Sequence, residues 1–323
     1  MLQVTNDCIL NLYRQNSDLD FAYRTTNQPL QQNRKSHWPR GKVLGGCSSI
    51  NFMLAVRGDA RGYDKWANEM GCLGWAFKDL EKYFVRLEDY RGQEDSKCRG
   101  RHGPVTVSDS RDIEFVTKPC VSAFVEACNE LGIPRIADYN APYLSASAGL
   151  SQYTIRNGKR CDAATAYLYG ENGAFFTCPN ISCITHEQCA RVLFDTTSTD
   201  KLPRACGVEL ISGLKVRARM EVILSAGAVG TPQILMLSGV GPKSHLESKG
   251  IHVVADLPGV GQNMKDHLMV ANSYEAKPGC TSVFAPRNPF QLASALARYL
   301  VFGDGIFVSV DAVTQRTTQL TTD

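Results

Sequence analysis

The sequence predicts an α/β fold, and three observations carry that expectation. The segment Trp38-Pro39-Arg40-Gly41-Lys42-Val43-Leu44-Gly45-Gly46-Cys47-Ser48-Ser49-Ile50-Asn51 sets a double glycine beside two serines and an asparagine. Glycines let a backbone come close to a ligand, and hydroxyls and amides then bond its polar atoms. A second glycine segment, Ser225-Ala226-Gly227-Ala228-Val229-Gly230-Thr231-Pro232-Gln233, follows an apolar run and opens a helix. Near residue 180 the pattern also changes, from amphipathic helices and loops to short apolar strands.

Taken in order, residues 1–36 are polar and weakly periodic, and Asn27 to Asn33 reads as a loop around Pro29. Tyr63 to Met70 predicts a short helix stopped by Gly71. Phe77, Leu80, Phe84 and Leu87 fall at helical spacing, with Lys78, Asp79, Glu81, Lys82 and Glu88 elsewhere, so an amphipathic helix is expected. Residues 91–104 are charged and glycine-rich, which predicts a solvated loop, and Val105-Thr106-Val107 a short strand. Val121, Phe124, Val125, Cys128 and Leu131 mark a second amphipathic helix stopped by Gly132, and residues 138–152 read as a loop.

Ile181–Ile184, Ala190–Phe194 and Ala205–Leu210 are β candidates. Val216 to Leu224 alternates and then turns fully apolar, as a strand entering a buried sheet would. Thr231 reads as an N-cap followed by proline at the first helical position, with the helix continuing to Leu237 and ending at Ser238-Gly239. Strand, glycine turn and helix N-terminus in that order place a cofactor phosphate or ring.

The 323 residues suffice for two ordinary domains or one large one, and 43% hydrophobic with 21% charged residues is a soluble globular composition. A formal charge of +3 is too small to imply nucleic acid. No apolar run reaches the roughly 20 residues that span a membrane, and Met1 to Cys8 lacks the basic start and apolar stretch of a signal peptide. The 12 cysteines are irregularly spaced, with Cys178, Cys183 and Cys189 loosely clustered and no Cys-x-x-Cys, so no metal site is expected. Free thiols are expected instead.

The first glycine segment continues as Phe52-Met53-Leu54-Ala55-Val56-Arg57-Gly58, then Tyr63-Asp64-Lys65-Trp66-Ala67, Gly74-Trp75 and Tyr83-Phe84. Position by position it resembles the first signature of the glucose–methanol–choline (GMC) oxidoreductases, which bind FAD. Gly227 to Gly241 resembles their second signature. Asn157 to Leu168 is similar to their Gly-x-Arg block, Thr185 to Phe194 to the strand pair beside the adenine, and Leu257 to His267 to their Gly-x-Asn-x-x-Asp-His block. The likeness runs over roughly residues 20 to 305 and is greatest to the choline dehydrogenase-like branch.

That resemblance implies an incomplete FAD-binding, Rossmann-like domain with interleaved α+β substrate-domain segments. Residues 20–265 would form the FAD-binding domain without its N-terminal βαβ unit, with a substrate-domain segment at about 105–155. Residues 266–323 would begin a truncated C-terminal substrate domain. No Gly-x-Gly-x-x-Gly unit with a following acidic residue occurs, so the chain is expected to be a fragment. Gly45, Gly46, Ser48, Ser49, Asn51, Phe52, Met53 and Leu54 would line the flavin and pyrophosphate, Val43 would flank the ring, and Cys189 would meet the adenine through its backbone. Ile50 stands where some members carry a histidine that tethers the flavin, so non-covalent FAD is expected. The family's catalytic histidine would lie beyond Asp323, and no residue present is assigned its role. His267 is read as scaffold, and His37, His102, His186, His245 and His252 as surface or structural.

The implied activity is oxidation of the CH–OH group of a small alcohol, a histidine taking the hydroxyl proton while hydride passes to flavin N5, with oxygen or a quinone as electron acceptor. Two other readings stay open: a lyase of the same fold with structural FAD, and a catalytically inactive truncated homologue. The purified chain is expected to be colourless or to hold FAD weakly. A flavin absorption band at near-stoichiometric loading after gel filtration would show the opposite.

Overall fold

The computed structural model describes residues 17–92, 98–109, 118–169, 179–195 and 202–267, with isolated positions between 290 and 297. Two units are separable: Met1–Pro179 with Glu275–Asp323, and Asn180–Tyr274. The segment expected to begin a C-terminal domain at 266–323 lies almost entirely outside the described residues, as does the family-like stretch Ala297 to Gly305.

In the first unit, β1 (Tyr23–Arg24) pairs antiparallel with β2 (His37–Trp38), Tyr23 opposite Trp38. Asp20 is buried at the base of this ribbon, where its Oδ1 accepts from the backbone N–H groups of Ala22 at 2.9 Å and Arg40 at 2.7 Å. The first helix, α1 (Ala60–Glu69), begins three residues before the expected Tyr63. Asp59 decides this, because its side chain accepts from the Arg61 N–H at 2.8 Å and satisfies an otherwise orphaned helix donor. Helix α2 (Phe77–Leu87) forms as its apolar spacing predicts. Its first N–H donates to Asp64 Oδ1 at 3.0 Å, so a residue of α1 caps α2. Tyr63, Phe77 and Phe84 pack between the two helices, with ring centroids 5.7–6.4 Å apart.

Helix α2 runs directly into β3 (Glu88–Tyr90), a strand that its charged residues conceal in the sequence. Strand β3 pairs in parallel with β4 (Val105–Asp109), and β4 antiparallel with β5 (Gln152–Tyr153). All of β3 is buried, as are most of β4 and β5. The expected solvated loop at 91–104 needs correction where it is described. Arg99 and Gly100 are buried, because the Arg99 guanidinium lies 3.9 Å over the Tyr90 ring and reaches Glu88 and Asp138.

These residues form a buried charged network. Glu88 accepts from Arg57 Nη2 at 2.5 Å and from the Gly100 N–H at 2.8 Å, and lies 3.0 Å from Arg99 Nε. Arg99 Nη1 donates to Asp138. Asp138 Oδ1 also accepts from the Asn140 N–H and from Gln152 Nε2. Asn140 in turn accepts from the Arg57 N–H at 2.7 Å and donates to the Ala55 carbonyl at 2.9 Å. Burial pushes the Glu88 carboxyl above the ordinary carboxylate range, against the pull of Arg99 and Arg57. Two cations and two carboxylates balance, though Arg57 Nε and the Nε and Nη2 of Arg99 are buried without a hydrogen-bond partner among the described residues, so the network is compensated in charge and not fully in hydrogen bonds.

Helix α3 (Lys118–Glu130) buries less than its apolar spacing implied. Val125 is buried and Val121 and Cys128 are half-buried, but Phe124 and Leu131 face solvent. The hairpin of β6 (Ile155–Arg156) and β7 (Lys159–Arg160) turns through Asn157 and Gly158. Both have positive φ, 51° and 69°, as a two-residue turn matching strand twist demands. Helix α4 (Ala163–Tyr167) follows, capped by Asp162, which accepts from the Thr165 N–H at 2.9 Å.

The second unit is an antiparallel meander of β8 (Cys189–Asp195), β9 (Arg204–Leu210) and β10 (Lys215–Arg217), in the order β10-β9-β8. Gly207 is required there, since a Cβ would stand 2.3 Å from the Val216 carbonyl oxygen. Helix α5 (Gly227–Leu237) packs on β8. Ser238 joins them, accepting from the Val192 N–H at 2.8 Å and donating to the Ile234 carbonyl at 2.5 Å. Strands β11 (Val240–Gly241) and β12 (Ala255–Asp256) pair in parallel around α6 (Lys243–Ser248).

Three expectations fail in this unit. Ile181–Ile184 is not a strand, and both isoleucines are exposed. Of Val216 to Leu224 only Val216 and Arg217 are strand; no ladder partner stands beside Val222-Ile223-Leu224 among the described residues, and Ile223 is 75% exposed. An apolar run becomes a strand only where a neighbour completes its hydrogen bonds. Thr231 is not the N-cap: α5 starts at Gly227, Pro232 lies inside it, and Thr231 Oγ1 accepts from the Ala226 N–H at 3.0 Å.

Replacing Glu88 by Gln leaves two buried guanidinium groups without their shared counter-charge. The expected cost is about 3 kcal/mol, read as a lower urea midpoint, whereas Glu209→Gln at the exposed pair with Arg191 should leave the midpoint within error.

Candidate functional site

The first glycine segment forms a tight loop in the first unit. Gly45 and Gly46 both hold positive φ, 86° and 56°, and residues Gly46–Ser49 then make one 3₁₀ turn. The two glycines have different surroundings. At Gly45 a Cβ would stand 2.3 Å from Ser49 Oγ and 2.9 Å from Asp162 Oδ1, so this glycine is demanded by packing. At Gly46 no described residue lies within 4 Å of the Cβ position, so the described structure places nothing against the backbone there. Gly41 lets the incoming chain pass beneath, since its Cβ would meet the Gly46 carbonyl oxygen at 2.2 Å.

The polar side chains of the loop are turned onto the loop itself. Ser48 Oγ donates to the Gly45 carbonyl at 2.6 Å and accepts from the Ala163 N–H at 2.9 Å. Ser49 is buried and donates to the Leu44 carbonyl at 2.8 Å. Across the loop lies Arg160, 3% exposed, carried by β7. Its Nη1 donates to the Ser48 carbonyl and to Asn51 Oδ1, and its Nη2 to the Asn51 carbonyl, each at 2.9 Å. A planar guanidinium spreads its donors over two terminal nitrogens and so reaches three acceptors along one loop, whereas an ammonium has its donors on a single atom.

Nine of the ten residues expected to line a cofactor fall in this stretch. Val43, Gly45, Gly46 and Ser48 are half-buried, Asn51 and Phe52 exposed. Met53 points inward, fully buried at a positive φ of 61°, and Leu54 bridges to Tyr153. Past the loop the chain is held by the Thr154 N–H on the Met53 carbonyl at 2.8 Å and the Ala55 N–H on the Gln152 carbonyl at 2.9 Å. His37, read from sequence as surface or structural, has its Nε2 3.6 Å from Asp20 Oδ2. His267 is exposed.

The tenth residue, Cys189, belongs to the second unit. It starts β8 at a bulge, where its thiol is raised by burial and donates to the Arg191 carbonyl at 3.8 Å. It lines a cleft of about 350 Å³ with Gln188, Arg191, Gln233, Ile234 and Leu237. That volume is within the range of small-ligand sites. Among the described residues no group of three or more His, Cys, Asp or Glu is placed to hold a metal, and no helix is long and apolar enough to cross a membrane.

The sequence profile of the GMC oxidoreductases matches residues 12–269. The chain belongs to the GMC oxidoreductase family. An oxygen-dependent choline dehydrogenase from Brucella anthropi is 40% identical over 292 residues, which are 88% of this chain and 50% of that protein. An FAD-dependent oxidoreductase from Chaetomium thermophilum superposes with a TM-score of 0.74 at 29% identity, over 91% of this chain and 51% of the other. Formate oxidase from Aspergillus oryzae gives a TM-score of 0.74 at 25% identity, over 96% and 53%. The chain thus spans about half the length of the relatives it matches.

Within this GMC chain the structure adds Arg160, which sequence reasoning placed in a family block without giving it a task. The only local sign was an arginine two residues after a turn glycine and two before the cap Asp162. The loop's two glycines separate by measurement. Gly45→Ala combines a clash with an unfavourable φ and should cost at least about 2 kcal/mol, against about 1 kcal/mol for Gly46→Ala, which has only the φ cost. Paired urea titrations give the difference.

Proposed function

We propose that this chain binds FAD without a covalent bond through the loop Val43 to Leu54, and serves an enzyme that oxidises the CH–OH group of an alcohol. The observation that carries the reading is Gly46, backbone at a left-handed φ with no described residue within 4 Å of its Cβ position, in a loop clamped from behind by Arg160. A side chain at that position would fill the place a dinucleotide needs. The loop therefore fits the cofactor that the names of its structural relatives carry. Bound there, the flavin would accept the hydride of the alcohol's carbinol carbon.

The chain's own residues bind and orient. Gly45 and Gly46 bring the backbone close, Ser49 and Met53 support the loop from inside, and the exposed Phe52 is available to line the flavin. The adenine contact is assigned to the backbone at Cys189. Ile50, buried beneath the loop, carries no nucleophile, which supports non-covalent binding. Residues 20–265 form the FAD-binding part, with about 105–155 and 266–323 on the substrate side. The electron acceptor is oxygen or a quinone; oxygen is the one named for the choline dehydrogenase relatives, and choline is the first alcohol to try.

Titration of the purified protein with FAD, followed by quenching of flavin fluorescence, tests this. Saturable binding is expected, weakened about tenfold or more by Gly46→Ala, with anaerobic bleaching at 450 nm or so on adding the right alcohol to loaded protein. Equal FAD affinity in wild type and Gly46→Ala would reject the loop as the site. Product release without bleaching would point to lyase chemistry.

A further inference from the structure

We propose that β10, the outer strand of the meander, docks an acidic extended segment of a partner protein, which adds to the sheet as a further antiparallel strand. The proposal is independent of the FAD-binding reading. Strand β10 stands at one end of the order β10-β9-β8, and all of Lys215–Arg217 is exposed. The register sets Lys215 opposite Glu209, Val216 opposite Val208 and Arg217 opposite Gly207. On either side of β10, the Leu210 N–H donates to the Leu214 carbonyl and the Ala218 N–H to the Cys206 carbonyl, each at 2.9 Å. In an antiparallel pair, hydrogen-bonded residue pairs alternate with unbonded ones. Leu214, Val216 and Ala218 therefore turn their backbone groups toward β9, while Lys215 and Arg217 turn theirs to the outer edge. A row of such N–H and C=O groups is a template for another strand.

Charge selects the occupant. Side chains alternate between the faces of a strand, so Lys215 and Arg217 share one face and Val216 takes the other. Glu209 of β9 and Arg191 of β8 stand in register with Lys215 on the same face. Arg191 gives Glu209 two hydrogen bonds, from Nη2 at 2.8 Å and Nε at 3.0 Å. These hold the Glu209 carboxyl below the ordinary range, and the charge of Lys215 adds to the effect. That carboxylate already has its partner, and among the described residues none lies within ion-pairing distance of Lys215 or Arg217. Arg217 Nη1 donates to Cys206 Sγ at 3.8 Å, a weak acceptor. A second copy pairing antiparallel about Val216 would set each Lys215 against an Arg217, and like charges directly opposite are unfavourable. A strand with Asp or Glu at alternate positions instead places a carboxylate opposite each cation while its backbone completes the edge. Lysine on an edge guards against pairing with edges of its own kind, and the same charge admits an acidic one.

The test uses the full chain and a short labelled peptide that alternates threonine and glutamate, with binding followed by fluorescence anisotropy. Saturable binding is expected, weakened about tenfold when Lys215→Glu and Arg217→Glu are combined. Both residues are exposed, so circular dichroism should show that variant folded. It should also take up a peptide alternating threonine and lysine, which the wild type refuses. Lys215→Thr with Arg217→Thr removes the charges without adding new ones and should weaken the acidic peptide about threefold. A copy of the acidic peptide N-methylated at alternate residues keeps its charge but cannot complete the ladder, and should not bind. Equal binding of the methylated and unmethylated peptides overturns the proposal, because charge attraction then acts without strand pairing. Equal affinity of wild type and both variants for the acidic peptide overturns it too, as does a wild type that binds no acidic peptide. A single-stranded oligodeoxynucleotide that competes as well as the peptide overturns it in favour of a general polyanion surface.

Discussion

Glu88 is the constraint on which the first unit depends. A carboxylate taken out of water must find full compensation, and two guanidinium groups and a backbone N–H supply it. The arrangement draws together four parts of the chain: the segment after the glycine loop at Arg57, the start of β3 at Glu88, the return at Arg99, and the turn at Asp138 to Asn140. Hydrophobic burial alone would tolerate slippage among these parts. Charges paired inside the protein do not, since a misplaced partner leaves an uncompensated ion. The downstream end of the glycine loop is thereby held by groups far from it in sequence.

Arg160 does the same for the loop itself, from the other side. It is a buried cation whose partners are carbonyl and amide oxygens of the loop, so its charge is solvated by the very backbone it positions. Gly45 allows the approach of Asp162 and Ser49, and at Gly46 no described residue stands against the Cβ position. Rigid support beneath and open backbone above is what preorganised recognition of a dinucleotide requires. The serine hydroxyls of the loop are turned inward, Ser48 onto the Gly45 carbonyl and Ser49 onto the Leu44 carbonyl.

Much of this was legible beforehand. The Gly-Gly-Cys-Ser-Ser run, the periodicity of Phe77 to Leu87 and the short β candidates at β8 and β9 are local signals, and the structure forms those elements where the residues say. The misses share a cause. Glu88-Asp89-Tyr90 reads as polar, yet it is a buried strand, because its partners come from residues 57, 99 and 138. Val222-Ile223-Leu224 reads as a buried strand, yet it is unpaired among the described residues and Ile223 is exposed, because burial and pairing require a neighbour that the run cannot specify. Thr231 reads as a cap, but the helix starts earlier at a glycine with positive φ, 79°, which composition alone does not reveal.

By itself the sequence determined the family, the position of the glycine loop and the two long helices of the first unit, since each rests on residue types at short spacing. Only the tertiary structure decided which group each polar side chain of the loop bonds. Ser48, Ser49 and Asn51 look equivalent as a string. Their difference lies in where one proton goes and which oxygen a distant arginine can reach, and such facts exist only once residues 44 to 53 and 160 to 163 are folded against one another.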